Sequence, residues 1–421
     1  MKYTRYEIGP YNLHIINTDK FKRNVITVNF KRKVKKSETT LRNMLANILV
    51  KSTKKYQTER EMIIETENLY NIGYSGGTSI SGNYSILYYE MTFLNEKYTE
   101  DKMSEKTLQF LADILFNPNS TNNKFNEKLF NLAQKEIKSN IENFKESPEK
   151  LATKLLYENM DKKASYSYLA DGYLEDLEKI NASNLYQYYK SVLQSDIVDI
   201  FIIGNIEPER IKQVMGTNFL INTIKKPATS HYLMHTKFRK RVKTVKVTRK
   251  INQSILKIGF KLDNLSDFER KYVINIYNYI IGGGPDSKLF QTIREKNSLC
   301  YHISSKINKV FNVMTITAGI NAINFKKTVT LIKKEIKNMQ KGDFKEEIIE
   351  AAKKVYTSSI LSMLDSPYNV IGIYEGKEYF NTDLVETRIE EINKVTKQMI
   401  IEVSKKIKMD TIFLLEGENN E

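Results

Sequence analysis

The sequence has little of what metal sites and covalent catalysis are commonly built from. Among 421 residues there is one cysteine, Cys300, and there are four histidines. A single thiol excludes an internal disulfide framework and a Cys-based zinc cluster, and it suits a reducing compartment, so a cytoplasmic location is expected. No Gly-x-Ser-x-Gly elbow, P-loop or Cys–His nucleophile pair occurs. The N-terminal MKYTRYEIGPYNLHII has no apolar core of signal-peptide length. No run approaches the roughly 18 apolar residues of a membrane span, so no membrane partner is expected.

What is present is a chain of two-domain length, since single cores stop growing at about 250–300 residues. The apolar fraction is 41% and charged residues make up 28%, which supports packed cores rather than global disorder. The formal net charge is +16. It is concentrated in Lys31–Lys36 (KRKVKK) and Lys237–Lys250 (KFRKRVKTVKVTRK). Such runs are most simply solvated surface; an acidic partner or substrate is the functional reading. Nothing resembling a nucleic-acid module accompanies them, so nucleic acid is not expected as a partner.

Periodicity gives alternating strands and helices. Ser37 is a candidate N-cap, and Leu41, Met44, Leu45, Ile48 and Leu49 form one helical stripe after it. Ser266 and Glu269 form a capping box that opens a second-half helix. From Gly216 the pattern lapses into TNFLINTIKKPATSHYLMHTKFRKR, read as a linker. The second half repeats the first. Ala133, Lys135, Ser139, Ile141, Ser147 and Pro148 recur without a gap as Ala352, Lys354, Ser358, Ile360, Ser366 and Pro367. The expected fold is α+β: two homologous domains, each a mainly antiparallel sheet packed with helices on one side, over residues 1–215 and 244–421, with 216–243 between them.

The most informative stretch is Ile280–Ser305, IIGGGPDSKLFQTIREKNSLCYHISS. Gly282, Gly283 and Gly284 close a helix. Pro285 is suited to open the next one. Leu289, Phe290 and Ile293 turn inward, and Arg294 precedes Tyr301, at the start of a strand, by seven residues. This stretch resembles the C-terminal signature of the pitrilysin/insulinase-like zinc peptidases, in particular half-size bacterial members akin to mitochondrial processing peptidase: a Gly-rich turn, S-R-L-F, then R-E-x-x-x-L-x-Y. The resemblance covers the whole chain and implies two hinged halves forming one side of a clamshell.

Active members of that family carry H-x-x-E-H on the first helix, usually followed by M-L-F-K-G-T. The corresponding residues here are Asn43, Met44, Leu45, Ala46 and Asn47, followed by Ile48 to Thr53. Two amides stand for the imidazoles and Ala46 for the general base. The resemblance implies that the family's third ligand corresponds to Glu136, and one carboxylate cannot hold zinc. No metal is therefore expected on this chain, and zinc is expected in a partner subunit. His231 and His235 have zincin spacing, but Met234 replaces the glutamate and the stretch lacks an apolar stripe. His14 and His302 have no ligand-like neighbours in sequence.

The resemblance implies that Arg294 and Tyr301 grip a peptide near the scissile bond of a partner's zinc site. It also implies that the edge strand containing Gly76 and Gly77 pairs with an extended peptide. An ordinary Gly-containing edge is the alternative for that strand, as a surface Arg and a core Tyr are for the pair. The expected function is the non-catalytic subunit of a heterodimeric zinc metallopeptidase acting on small or unfolded peptides, its partner an H-x-x-E-H subunit of similar size. The rival is a peptide-binding or scaffold protein of the same fold.

Overall fold

The structure, a computed structural model, describes residues 1–144, 146–219, 231–235 and 237–418. The strands are β1 (Lys2–Ile8), β2 (Tyr11–Asn17), β3 (Arg23–Lys33), β4 (Gly73–Ser81), β5 (Tyr84–Leu94), the short β6 (Ser120–Thr121) and β7 (Lys124–Phe125), β8 (Ile197–Gly204), β9 (Lys243–Arg249), β10 (Ser254–Leu262), β11 (Cys300–Asn308), β12 (Val313–Ile320) and β13 (Ile407–Gly417). The helices are α1 (Thr39–Leu49), α2 (Glu59–Asn68), α3 (Met103–Phe116), α4 (Glu127–Phe144), α5 (Pro148–Met160), α6 (Leu174–Leu177), α7 (Ala182–Ser195), α8 (Pro208–Asn218), α9 (Ile274–Gly282), α10 (Phe325–Lys341), α11 (Glu346–Met363), α12 (Pro367–Phe380), α13 (Val385–Asn393) and α14 (Lys397–Lys406).

Two compact units result, and they do not follow the sequence halves. The first comprises Met1–Asn143, the described part of Tyr168–Ser230, and Ser366–Glu375. The second comprises the described parts of Phe144–Ser167, His231–Asp365 and Gly376–Glu421. Each is a mainly antiparallel sheet packed with helices.

In the first unit six strands run in the order β1-β2-β8-β3-β5-β4, with β2 and β8 parallel. Ile26, Val28 and Phe30 of β3 face a core shared with Met44, Leu45, Ile48 and Leu49 of α1. The stripe expected on α1 is therefore its buried face. The helix starts at Thr39 after a 3-10 turn over Lys36–Glu38, and no side chain caps it, so Ser37 is not the N-cap. Arg42 instead fixes α1 to the sheet. Its guanidinium is fully buried and donates to Asp196 at 2.9 Å and to the Phe30 carbonyl at 2.6 Å. The opposite face of β3 is also buried, because Glu375 of α12 accepts a hydrogen bond from Asn29 at 2.6 Å. Cover on both faces, rather than on one side, explains why β3 reads as a nearly continuous buried run instead of an alternating one.

In the second unit five strands run β11-β12-β10-β13-β9, with β9 and β13 parallel. One face packs against α9, α10, α11 and α14. The other carries α5, whose Ala152, Leu156 and Met160 join Phe413 and Leu415 in a smaller apolar cluster. The sequence repeat is realised in the helices: α4 and α11 begin at Glu127 and Glu346, and α5 and α12 at Pro148 and Pro367, all at the offset seen in the sequence. The Ser266–Glu269 capping box forms, with both reciprocal hydrogen bonds present.

The basic run at Lys237–Lys250 contains β9, an edge strand. Lysines on an edge deter unwanted strand pairing, which gives that charge a structural role. Lys31 and Arg32 of the other basic run are not solvated. Lys31 lies 2.5 Å from Asp199 with both side chains buried, and Arg32 lies 2.5 Å from Asp196. Of the expected linker, residues 216–219 belong to or follow α8, 231–235 have no regular secondary structure, and residue 243 opens β9. Residues 220–230 and 236 lie outside the described residues. Among the described residues no helix is long and apolar enough to cross a membrane.

Candidate functional site

The residues singled out by sequence fall into two groups, one in each unit. Asn43, Ala46, Asn47, Glu136, Gly76 and Gly77 lie in the first unit, and Gly282, Gly283, Gly284, Arg294 and Tyr301 in the second.

On α1 the positions four residues apart do face one way, as a pair of metal ligands would, but they are closed by their own hydrogen bonds. Asn47 donates to the backbone carbonyl of Asn43 at 2.9 Å and to its side-chain oxygen at 3.1 Å. Asn43 donates onward to the carbonyl of Asp171 at 2.9 Å. Ala46 is fully buried. A strap over residues 168–173 covers this helix: Thr40 Oγ1 accepts from the Tyr173 amide at 3.0 Å, and Thr78 donates to the Ala170 carbonyl at 3.1 Å. Gly172 makes the close approach possible, with φ +90° and Thr40 where a Cβ would stand.

Glu136 is engaged as well. Lys51, one turn beyond Asn47, binds it at 2.8 Å and also reaches Glu59 at 3.4 Å. Two satisfied amides, a buried methyl group and a carboxylate held by an ammonium do not fit zinc, which requires imidazole, thiolate or free carboxylate donors. Sequence reasoning missed the strap and Lys51, whose signals were Gly172 beside Asp171 and the lysine in the aligned stretch after α1.

β4 is the edge of its sheet, and among the described residues it pairs only with β5. Its glycines have packing reasons. A Cβ on Gly76 would lie 2.5 Å from the Ala46 carbonyl oxygen, and one on Gly77 would meet the Tyr88 hydroxyl at 2.4 Å. They let α1 and the Tyr88 side chain lie directly on the edge strand.

In the second unit Gly282 is buried because a Cβ there would collide with the Ser305 backbone nitrogen at 2.8 Å, so it brings the end of α9 onto β11. Gly283 is exposed and Gly284 half-buried. Pro285 lies in a turn and does not open the next helix, which begins at Lys288 and winds as a π-turn over Phe290–Glu295. The reason is local: Ser287 N–H bonds back to the Gly284 carbonyl at 3.1 Å, and the helix takes up its first bond only from Gln291 to Ser287. Leu289 and Ile293 are fully buried, while Phe290 is only half-buried.

That geometry sets Arg294 between two rings. Its guanidinium lies 4.5 Å from the Phe290 ring centre and 5.2 Å from that of Tyr301. Cation–π contact fixes the guanidinium while leaving its N–H groups free of the rings. Glu295 approaches it at 3.5 Å, with both side chains partly exposed. Tyr301 stands on the edge strand β11 and is 80% exposed, so it is not the core tyrosine that is the bland alternative. An Arg and a Tyr hydroxyl side by side at a strand edge can donate to a peptide carbonyl or carboxylate. Cys300, beside them, is half-buried, and burial pushes its thiol up to about 11, which makes it a poor nucleophile.

The histidines take structural positions. His231 and His235 lie in a segment without regular secondary structure rather than on a helix; His231 stacks on Tyr379 at 4.9 Å, and His235 Nε2 is 2.9 Å from the Asn312 carbonyl oxygen. His14 does have a carboxylate neighbour, contrary to the sequence reading, since Asp199 on the parallel strand β8 lies 3.6 Å away.

Comparison with known proteins agrees with this picture. Residues 179–356 match the model of the peptidase M16 inactive domain. A probable inactive metalloprotease, YmfF of Bacillus subtilis strain 168, is 25% identical over 412 residues, spanning 97% of this chain and 96% of the relative. A crystal structure of a conserved protein from Enterococcus faecalis V583 superimposes with a TM-score of 0.92 at 25% identity, covering both chains fully. A peptidase M16 inactive domain from Pseudomonas fluorescens shares the fold, with a TM-score of 0.80 at 14% identity over 100% of this chain and 99% of that one. Residues 179–356 thus belong to the pitrilysin/insulinase-like (M16) peptidase family, and the chain as a whole is similar to its metalloprotease-like members while lacking the H-x-x-E-H zinc motif.

Proposed function

We propose that the protein is the non-catalytic subunit of a heterodimeric zinc metallopeptidase acting on small or unfolded peptides in the cytoplasm. A partner of similar size with an intact H-x-x-E-H would supply zinc and general base. The observation that carries this reading is the asymmetry between the two groups of residues. Asn43 and Asn47 are closed on themselves and on the strap, whereas Arg294 and Tyr301 are stacked, oriented and presented outward. Arg294 and Tyr301 would hold the peptide backbone near the bond that the partner cleaves, and β4 would pair with an extended stretch of it.

The test is reconstitution. The isolated chain should bind no stoichiometric zinc and cleave nothing. Mixed with its H-x-x-E-H partner it should give a chelator-sensitive peptidase, and Arg294→Ala with Tyr301→Phe should lower kcat/KM by about 100-fold, the size of a lost transition-state donor. Circular dichroism should be unchanged, because both side chains are at the surface. Stoichiometric zinc in the isolated chain, with activity lost on chelation, would sink this proposal.

The unpaired side of β4 also favours a second reading, a peptide-binding or scaffold protein of the same fold with no peptidase partner. It predicts peptide binding by the isolated chain and inactivity in every mixture.

A further inference from the structure

Away from the Arg294–Tyr301 pair, the second unit has a small cavity of about 70 Å³. Four cations line it, Arg270, Lys271, Lys309 and Arg388, against one carboxylate, Asp383. They come from separate elements: the turn that leads into α9, the loop between β11 and β12, and α13.

The single carboxylate is already used. Asp383 accepts from the Tyr272 hydroxyl at 2.5 Å and pairs with Lys271 at 3.3 Å; Lys271 also binds Asp267 at 2.9 Å. The other three cations have neutral partners. Lys309 Nζ donates to the Lys271 carbonyl at 3.1 Å. Arg388 donates to the Asp383 backbone carbonyl at 2.5 Å and to Thr382 Oγ1 at 3.0 Å. Arg270 donates to the Asn312 side-chain oxygen and, at 3.5 Å, to the Lys309 carbonyl, and lies 4.7 Å from the Tyr232 ring centre. Among the described residues no carboxylate forms an ion pair with Arg270, Lys309 or Arg388.

Four cations around one hole that holds a single carboxylate, itself engaged by Lys271 and Tyr272, are unfavourable unless an anion enters it. We propose that this pocket is a binding site for a phosphate group, free or carried as the terminal group of a phosphomonoester. Its volume has room for one compact group. Two guanidinia and an ammonium suit a tetrahedral dianion, which offers several oxygens and about two charges; a carboxylate is planar and brings one. The state of Lys309 agrees: burial first, then the Arg388 and Arg270 guanidinia, push its ammonium down to about 7. Lys271, Tyr232, Tyr272, Tyr356 and Asp383 are the other titratable groups on the walls. A bound dianion would restore the Lys309 charge, so binding and proton uptake are linked.

The test is calorimetric titration of the full chain at low ionic strength in chloride. Inorganic phosphate and sulfate should each bind once, with Kd of about 0.1–1 mM. Sulfate keeps its charge between pH 6 and 8.5, so its affinity should fall about tenfold or more over that range as Lys309 loses its proton. Lys309→Met and Arg388→Gln should each weaken phosphate at least about tenfold. Phosphoserine competing as well as phosphate assigns the site to a monoester, and phosphate alone competing assigns it to the free ion. Absence of saturable phosphate and sulfate binding by the wild-type chain at 10-fold above the expected Kd would overturn the proposal, whether or not the variants fold. So would equal affinity in wild type and both variants, or tighter binding of acetate than of phosphate.

Discussion

Lys31 and Asp199 in the first unit stand where Lys261 and Asp410 stand in the second. Each lysine is on the central antiparallel strand, β3 or β10, and each aspartate is on the neighbouring strand, β8 or β13. Both pairs are buried, at 2.5 and 3.4 Å. Around them the units diverge. Asp199 has Asn12 at 2.8 Å and His14 at 3.6 Å, and next to Lys31 on the same face Asn29 binds Glu375 of α12. In the second unit Gly259 takes the place beside Lys261, and Met160 of α5 fills the space, with its sulfur 2.3 Å from where a Cβ would stand. One unit therefore receives its outer helix on a polar surface and the other on an apolar one. The duplicated plan fixes where helix and sheet meet; the side chains decide how tightly and at what pH they stay together.

The largest test of that contrast is to remove the lysine from each pair. Asp199 is fully buried, and Lys31 with His14 holds its carboxyl well below the usual range against the opposing effect of burial. Lys31→Met leaves that charge without its main partner and should cost about 3–5 kcal/mol. Lys261→Met should cost less, about 1–3 kcal/mol, because Arg239 remains 3.1 Å from Asp410. Urea unfolding of the two variants measures this directly. Equal losses would mean that Arg239 does not substitute for the lysine.

The second test is pH. Glu375 is pushed up to about 7, chiefly by burial and with Glu90 adding to it, while Asn29 and Lys31 oppose the shift. A carboxyl whose folded value lies above its unfolded one costs nothing while protonated in both states. Its penalty grows as pH rises from about 4.5 to about 7 and is constant above that. Glu375→Gln keeps an oxygen for Asn29 and removes the penalty. The variant should match the wild type near pH 4.5 and be more stable by about 1–2 kcal/mol at pH 8. Since Gly259 and Met160 occupy the equivalent place in the second unit, no such slope is expected from it. Thermal melts across this pH range check the sign, and a wild type that gains stability between pH 5 and 7 relative to the variant would refute it.

How much of this could be read in the sequence follows the same division between plan and side chain. The repeat was legible because α4 and α11 keep equivalent residues at the same spacing and α5 and α12 keep their Ser-Pro starts. The buried face of α1 and the Ser266–Glu269 box were legible because their signals are local. β1 and β9 were not, since edge strands exposed on both sides carry KYTRYEI and KTVKVTR, with no apolar alternation strong enough to mark them. The absence of zinc-ligating side chains at Asn43, Ala46 and Asn47 could be read in the sequence. The strap that closes over them could not, because its contact with α1 joins residues about 130 positions apart. The same holds for the basic run at Lys31–Lys36, where a partner on β8 turns apparent surface charge into a buried ion pair.

The smallest effect concerns Glu136. At the repeat-equivalent position the second unit has Val355, which is 43% exposed. Glu136→Val therefore makes the first unit like the second at this one place. The Glu136 side chain is 44% exposed, so its pair with Lys51 is screened by solvent, and the substitution should change stability by less than about 1 kcal/mol. The comparison gains its point from zinc. If Glu136 were a ligand in waiting, added zinc would raise the melting temperature of the wild type, and Glu136→Val would abolish the rise. With Lys51 holding the carboxylate, and Asn43 and Asn47 bonded to each other and to the strap, zinc should leave both proteins unchanged. A zinc-dependent rise in the wild type alone would show that the first unit has kept a metal-binding function that the second never had.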